Sequence, residues 1–213
     1  MISKRMLAVT CAAAVGAGAA VVSAQTRRPA SPSGASATQV GGHYETRPGA
    51  DEPVYVGGKW IEITYGRPIK RERDLWGAGA DYGKTLNGGA PVWRAGANVT
   101  TRLKTEVPLV IGGKTVPAGE YSVFIDLKPN NWTLILSSWP HQTRYDPSNK
   151  EALWGAFGYT PDRDVARAPM KLGTLPVALD EMSWEFADMT AGGGTLTFLW
   201  DKTIATVPFK IGS

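Results

Sequence analysis

The chain has 213 residues, with eight Trp, 25 Gly, 15 Pro, one Cys and a formal net charge of +4 at pH 7. That length fits one domain with a tail, and the Gly and Pro content argues for many turns and against a coiled coil or helix bundle. Beyond the N-terminus no apolar run reaches membrane-spanning length, which excludes a polytopic membrane protein.

In chain order, Lys4 and Arg5 precede an uncharged, Ala-rich stretch over residues 6–22, and Val22-Ser23-Ala24 places small residues where a signal peptidase reads. The pattern predicts a secretory signal peptide over residues 1–24, cleaved after Ala24, and a mature chain in the periplasm or outside the cell without a transmembrane span. Its Ala and Gly content makes the stretch a poor retained anchor. Cleavage removes two of the 23 basic residues and the only cysteine, leaving a basic surplus of two over the 19 acidic residues. So small a surplus gives no basis for a nucleic-acid or anionic-membrane partner. The loss of Cys11 excludes disulfides, thiol catalysis and Cys-based metal sites together.

Residues 25–50 are rich in Ser, Ala, Pro and Arg and poor in apolar side chains, so they read as a flexible tether. Residues 51–213 read as one folded domain. Ile61, Ile63 and Tyr65 alternate with Trp60, Glu62 and Thr64, the two-residue period of a half-buried strand, and Val99, Thr101 and Leu103 repeat it. Residues 107–116 carry a Gly112-Gly113 hairpin signal, and strands are expected over 120–127 and 132–136. Near the C-terminus, Met182, Trp184 and Phe186, then Leu196, Phe198 and Trp200, show the same alternation. A last strand over 203–211 contains Pro208, which suits an edge or a bulge. No stretch of the domain sustains a 3.6-residue period. The expected fold is all-β, a single antiparallel β-sandwich or barrel-like domain. Its outstanding loop spans about 66–91, and long loops on β scaffolds are where binding residues concentrate.

The order of motifs resembles a known family. Tyr65-Gly66-Arg67-Pro68, Arg73-Asp74-Leu75-Trp76-Gly77, Trp93-Arg94-Ala95-Gly96-Ala97-Asn98, Pro117-Ala118-Gly119-Glu120-Tyr121, Trp154-Gly155 and Val207-Pro208-Phe209-Lys210-Ile211 are similar to the bacterial secreted family catalogued as domain of unknown function 2911. The resemblance covers nearly the whole folded domain. It implies a secreted bacterial protein and marks Arg67, Trp93, Arg94 and Asn98 as the polar signature, but it brings no activity with it. The chain departs from the usual pattern by an insertion around residues 81–90.

The candidate ligand-binding residues are Arg67, Arg73, Trp76, Trp93, Arg94 and Asn98. An arginine between Trp93 and a small-residue stretch could offer its planar fork to a carboxylate or phosphate, with Trp76 or Trp93 as a stacking surface. The commoner role of such an arginine is to pin a loop through protein partners. Trp60, Trp184 and Trp200 fall in strand runs and are expected in the core, whereas Trp139 and Trp154 lie by loops and suit stacking on a sugar face. His43 and His141 have no metal-ligand spacing, Ser137 and Ser138 lack a nucleophile elbow, and no cofactor motif is present, so no catalytic residue, metal or cofactor is assigned. The favoured reading is a non-catalytic module binding a small polar or sugar-like ligand or an envelope partner. Two alternatives stand beside it. One is a hydrolase using a carboxylate pair drawn from Asp162, Asp164, Asp180, Glu181 and Glu185; the other is an envelope structural or interaction protein.

Overall fold

The structure, a computed structural model, describes residues 29–212; the signal-peptide expectation falls outside them. Its strands run β1 Ser33–Val40, β2 His43–Glu45, β3 Val54–Val56, β4 Lys59–Gly66, β5 Thr101–Thr105, β6 Leu109–Ile111, β7 Lys114–Val116, β8 Gly119–Asp126, β9 Thr133–Ser137, β10 Asp164–Pro169, β11 Lys171–Thr190 and β12 Gly193–Ile211. One antiparallel sheet has the order β1-β4-β5-β8-β9-β10, a second has β11-β12-β6-β7, and β2 and β3 form a separate hairpin. The two larger sheets pack as a sandwich rather than a closed barrel. Among the described residues helix is confined to one turn, α1 Lys84–Asn87, and two short 3-10 turns. No helix among the described residues is long and apolar enough to cross a membrane.

The two-residue period determines what each sheet buries. Ile61, Ile63 and Tyr65 of β4, Leu103 of β5 and Val123 and Ile125 of β8 face Met182, Trp184, Phe198, Trp200, Ala205 and Val207 of the second sheet. Strands β8 and β9 are apolar on both faces, because the segment between β9 and β10 folds back over their outer side. There Phe124 and Ile135 form a second cluster with Val92, Leu153, Ala156 and Tyr159. Trp60 departs from expectation: it shares the outward parity of Glu62 and Thr64 and is 48% exposed. Pro208 also differs from an edge residue, since β12 lies between β11 and β6. It sits after the β11 ladder ends at Thr206 and before the β6 ladder begins at Phe209, so its missing N–H falls outside both registers.

The expected tether is corrected over Ser33–Val40. This segment is an edge strand paired in unbroken register with β4 from Ser33 opposite Gly66 to Val40 opposite Lys59. Its small side chains, Ser33-Gly34-Ala35-Ser36-Ala37, carry no hydrophobic period, and only Gly34 and Val40 are buried. An edge strand gains its ladder hydrogen bonds without needing an apolar face, which is why composition conceals it.

A chain beginning at Gly42 therefore lacks a structural strand. Its thermal midpoint is expected to fall at least about 5 °C below that of a chain beginning at Gln25. Coincident midpoints would place residues 33–40 outside the cooperative unit.

Candidate functional site

The loop between β4 and β5 crosses one end of the sandwich and is tied to both sheets. Lys70 N donates to Asp180 O and Met182 N to Pro68 O on the β11 side, while Trp93 and Ile125 exchange backbone hydrogen bonds on the β8 side. Its last turn is the Trp93–Asn98 block. Ala95 and Asn98 both have positive φ, 53° and 61°, a conformation that costs non-glycine residues and persists where surroundings hold it. The restraint is visible. Ala95 O accepts from Trp184 Nε1 at 3.0 Å and from Thr101 Oγ1 at 3.1 Å, Trp93 Nε1 donates to Gly96 O at 3.1 Å, and Ala97 N donates to Gly66 O at 3.0 Å. Gly66 is required here because a β-carbon would collide with the Ala97 carbonyl.

Trp93, expected as a stacking surface, is instead 1% exposed and stacks on Trp200, with ring centroids 6.0 Å apart. Trp76 is likewise diverted from ligand duty: its ring lies 4.6 Å from Trp132 and also packs on Trp93, Phe198 and Trp200. Both indoles serve the core, where large apolar rings lose least by leaving water. Arg67 sits toward β11, paired with Glu181 Oε2 at 3.2 Å. The Tyr65 hydroxyl, then the nearby Glu181, raises its pKa against the opposing effect of burial. It is a structural clasp between β4 and β11, although its buried Nε has no partner.

Arg94, Arg73 and Asn98 do converge. They line a cavity of about 260 Å³ whose wall also includes Leu86, Trp154 and Trp200. Arg73 is fixed from behind, its Nε donating to Lys70 O at 2.9 Å and Nη2 to Ile69 O at 2.6 Å. Arg94 Nη1 donates to Asn98 O at 3.0 Å, and the guanidinium lies against Gly155. A β-carbon at Gly155 would stand 2.7 Å from Nη1, and Gly155 has a φ of 64°, so glycine is needed there twice over. Among the described residues no carboxylate pairs with Arg94. Burial alone lowers its pKa, with no acidic neighbour to offset it. A guanidinium drawn from water without a counter-charge is an unpaid electrostatic cost unless an anion joins it.

Sequence reasoning missed Leu86, and it assigned Trp200 to the core without the cavity wall it also forms. Trp154 was expected near a loop surface, and the Trp154-Gly155 pair was the available signal for its place beside Arg94. The carboxylates proposed as a hydrolytic pair are engaged separately. Asp164 holds Arg167 at 2.7 Å and the Tyr159 hydroxyl at 2.8 Å, Glu181 holds Arg67, Asp180 accepts from Arg71 N, and Glu185 accepts from Ser36 Oγ. Ser137 and Ser138 both donate to Arg163 O rather than to His141. Trp139 lies under Arg163, 4.0 Å from its guanidinium carbon, and donates its indole N–H to Thr160 O.

His141 belongs to a different cluster, with Nε2 2.7 Å from Arg102 Nη1 and Nδ1 3.9 Å from Glu120. Nε2 must accept from Arg102, so the ring is neutral in this arrangement. Burial first and Arg102 second hold its pKa below the ordinary 6.5, against a smaller opposing effect of Glu120. Below pH 6.5 the unfolded chain binds this proton more readily than the folded one. The stabilisation is therefore complete above about pH 6.5 and is lost as pH falls toward the lowered folded pKa. Urea midpoints measured from pH 7.5 down to pH 5 are expected to drop less steeply for His141→Gln than for the wild type; parallel curves would refute the assignment.

The family model described as Protein of unknown function (DUF2911) matches residues 48–209. No curated protein and no solved structure matches the chain. The match takes in β3 to β12 up to Phe209, together with every side chain named for the Arg94 cavity, and leaves β1 outside it. The chain belongs to the family of unknown function DUF2911.

Proposed function

We propose that this protein is an exported, non-catalytic binding module that receives a small anionic ligand at Arg94. The observation that carries the reading is the Arg94 guanidinium itself, half-buried at a cavity with no carboxylate partner among the described residues. Arg67, Arg102 and Arg167 each hold a carboxylate, whereas the one protein hydrogen bond of the Arg94 guanidinium among the described residues goes to a backbone carbonyl. Arg73 contributes a second positive charge to the same wall, and Asn98 supplies a polar neighbour. A planar guanidinium suits the two oxygens of a carboxylate. At about 260 Å³ the cavity lies just below the usual range for whole drug-sized ligands, roughly 300–1,000 Å³, so it suits a charged group better than an entire large molecule. Export rests on the sequence alone, on Lys4, Arg5, the apolar stretch that follows and the small residues ending at Ala24.

Binding of acetate or another small carboxylate at ten times its Kd is expected to raise the thermal midpoint by about 3–6 °C. Arg94→Gln should abolish the shift, and a neutral amide of the same shape should give none in the wild type. Equal shifts in wild type and Arg94→Gln would overturn the site. Intact mass of the protein recovered from the producing bacterium should begin at Gln25; a chain still carrying residues 1–24 would overturn export with cleavage.

A further inference from the structure

A second, larger hollow adjoins the arginine cavity and shares Trp154 with it. About 540 Å³ in volume, it is bordered by Tyr145, Asp146, Asn149, Lys150, Trp154 and Phe157. Tyr145 is 59% exposed and Phe157 48% exposed, yet both stand beside Trp154 in one cleft instead of being scattered over the surface. The Tyr145 and Trp154 rings lie 5.8 Å apart at 54°. Exposed aromatics gathered in a concavity point to a ligand with apolar faces.

The cleft is built before any ligand arrives. Buried Gln142 acts as its hub: Nε2 donates to Asn149 O at 3.1 Å and Ala152 O at 2.8 Å, and Oε1 accepts from Asp146 N at 2.7 Å. Trp154 and Phe157 are joined by a backbone bridge across the Gly155 turn, the same glycine against which Arg94 lies. The rim is polar. Asp146 Oδ1 is occupied by Ser148 and Asn149 Oδ1 by the N–H groups of Glu151 and Ala152, which leaves Asp146 Oδ2 and Asn149 Nδ2 without protein partners among the described residues. An acceptor and a donor beside aromatic faces match the hydroxyls and C–H faces of a pyranose, whereas a flat aromatic ligand would leave them unused.

We propose that the ligand is a sugar acid, whose pyranose ring lies on Trp154 and Tyr145 and whose carboxylate reaches across Trp154 to Arg94. The inference rests on Arg94 as an anion site and adds the chemical class of what the anion is attached to. Charge complementarity decides between neutral and acidic sugars: Arg94 and Arg73 line the smaller hollow and Lys150 and Asp146 the larger, with Trp154 common to both, so the surplus charge of the combined surface is positive on the Arg94 side.

The test uses the mature chain and calorimetric titration with glucuronate, galacturonate and mannuronate, compared with acetate and with the three neutral methyl pyranosides. At least one uronate should bind at least tenfold more tightly than acetate and than its neutral counterpart. Tyr145→Ala and Phe157→Ala, both at exposed positions, should each weaken the uronate about tenfold while leaving acetate unchanged; Arg94→Gln should remove both. Uronates no tighter than acetate, or unaffected by either aromatic substitution, would overturn the sugar assignment and leave the anion site standing. Failure of acetate and uronates alike to bind would overturn both.

Discussion

The carbonyl of Ala95 is the point on which the site depends. It lies in a residue with positive φ, at a turn inside the sandwich mouth, and two donors hold it: the indole N–H of Trp184 on β11 and the hydroxyl of Thr101 at the start of β5. A buried backbone acceptor must be paired, and these two pairings come from opposite sheets. The turn is thus clamped between the two layers. The surrounding indoles are satisfied in the same manner, Trp93 on Gly96 O, Trp132 on the Tyr82 hydroxyl and Trp200 on Asp180 O. The tryptophan-rich core is therefore more than apolar mass: Trp93, Trp132, Trp184 and Trp200 each fill space while the one polar atom of the ring makes a hydrogen bond outside the backbone ladders.

That division of labour explains why Arg94 and its neighbours differ so sharply. Trp93 and Ala95 point into the core and fix the turn; Arg94, between them, is delivered to the cavity with Gly155 at its back. Rigid support behind a charged group means that little ordering remains to be done on binding. The signature block serves the core through Trp93 and Ala95 and lines the cavity through Arg94 and Asn98.

Much of the fold was legible because β4 and the segments around Trp184 and Phe198 in the two long C-terminal strands carry their apolar residues at every second position. Strand β1 was not, since Ser33 to Ala37 offer backbone pairing without an apolar face, and it also lies ahead of residue 48, where the family match begins. Trp60 misled because a place in a strand run does not by itself set burial, and its parity with Glu62 and Thr64 turns it outward. For the cavity, Arg94 and Asn98 were recognisable as polar residues in a tight, small-residue context, and Arg73 as part of the charged run that leads into Asp74-Leu75-Trp76-Gly77. Trp76 and Trp93 were not separable from stacking platforms, because an indole reads the same in sequence whether it faces a ligand or Phe198. The cleft of Tyr145 and Phe157 was invisible for a similar reason: its walls come together through the Gln142 side-chain hydrogen bonds and the Trp154–Phe157 bridge, which leave no period in the sequence.

The central claim is that Arg94 is held for a ligand at a cost to the fold. The direct measurement is the unliganded unfolding free energy of Arg94→Met, obtained by urea titration at pH 7.5. Methionine keeps much of the side-chain bulk and removes the charge, so the account predicts stability equal to or above the wild type. A loss of about 3 kcal/mol or more, the scale expected when one partner of a buried pair is removed, would show that Arg94 pins the fold and would contradict the account.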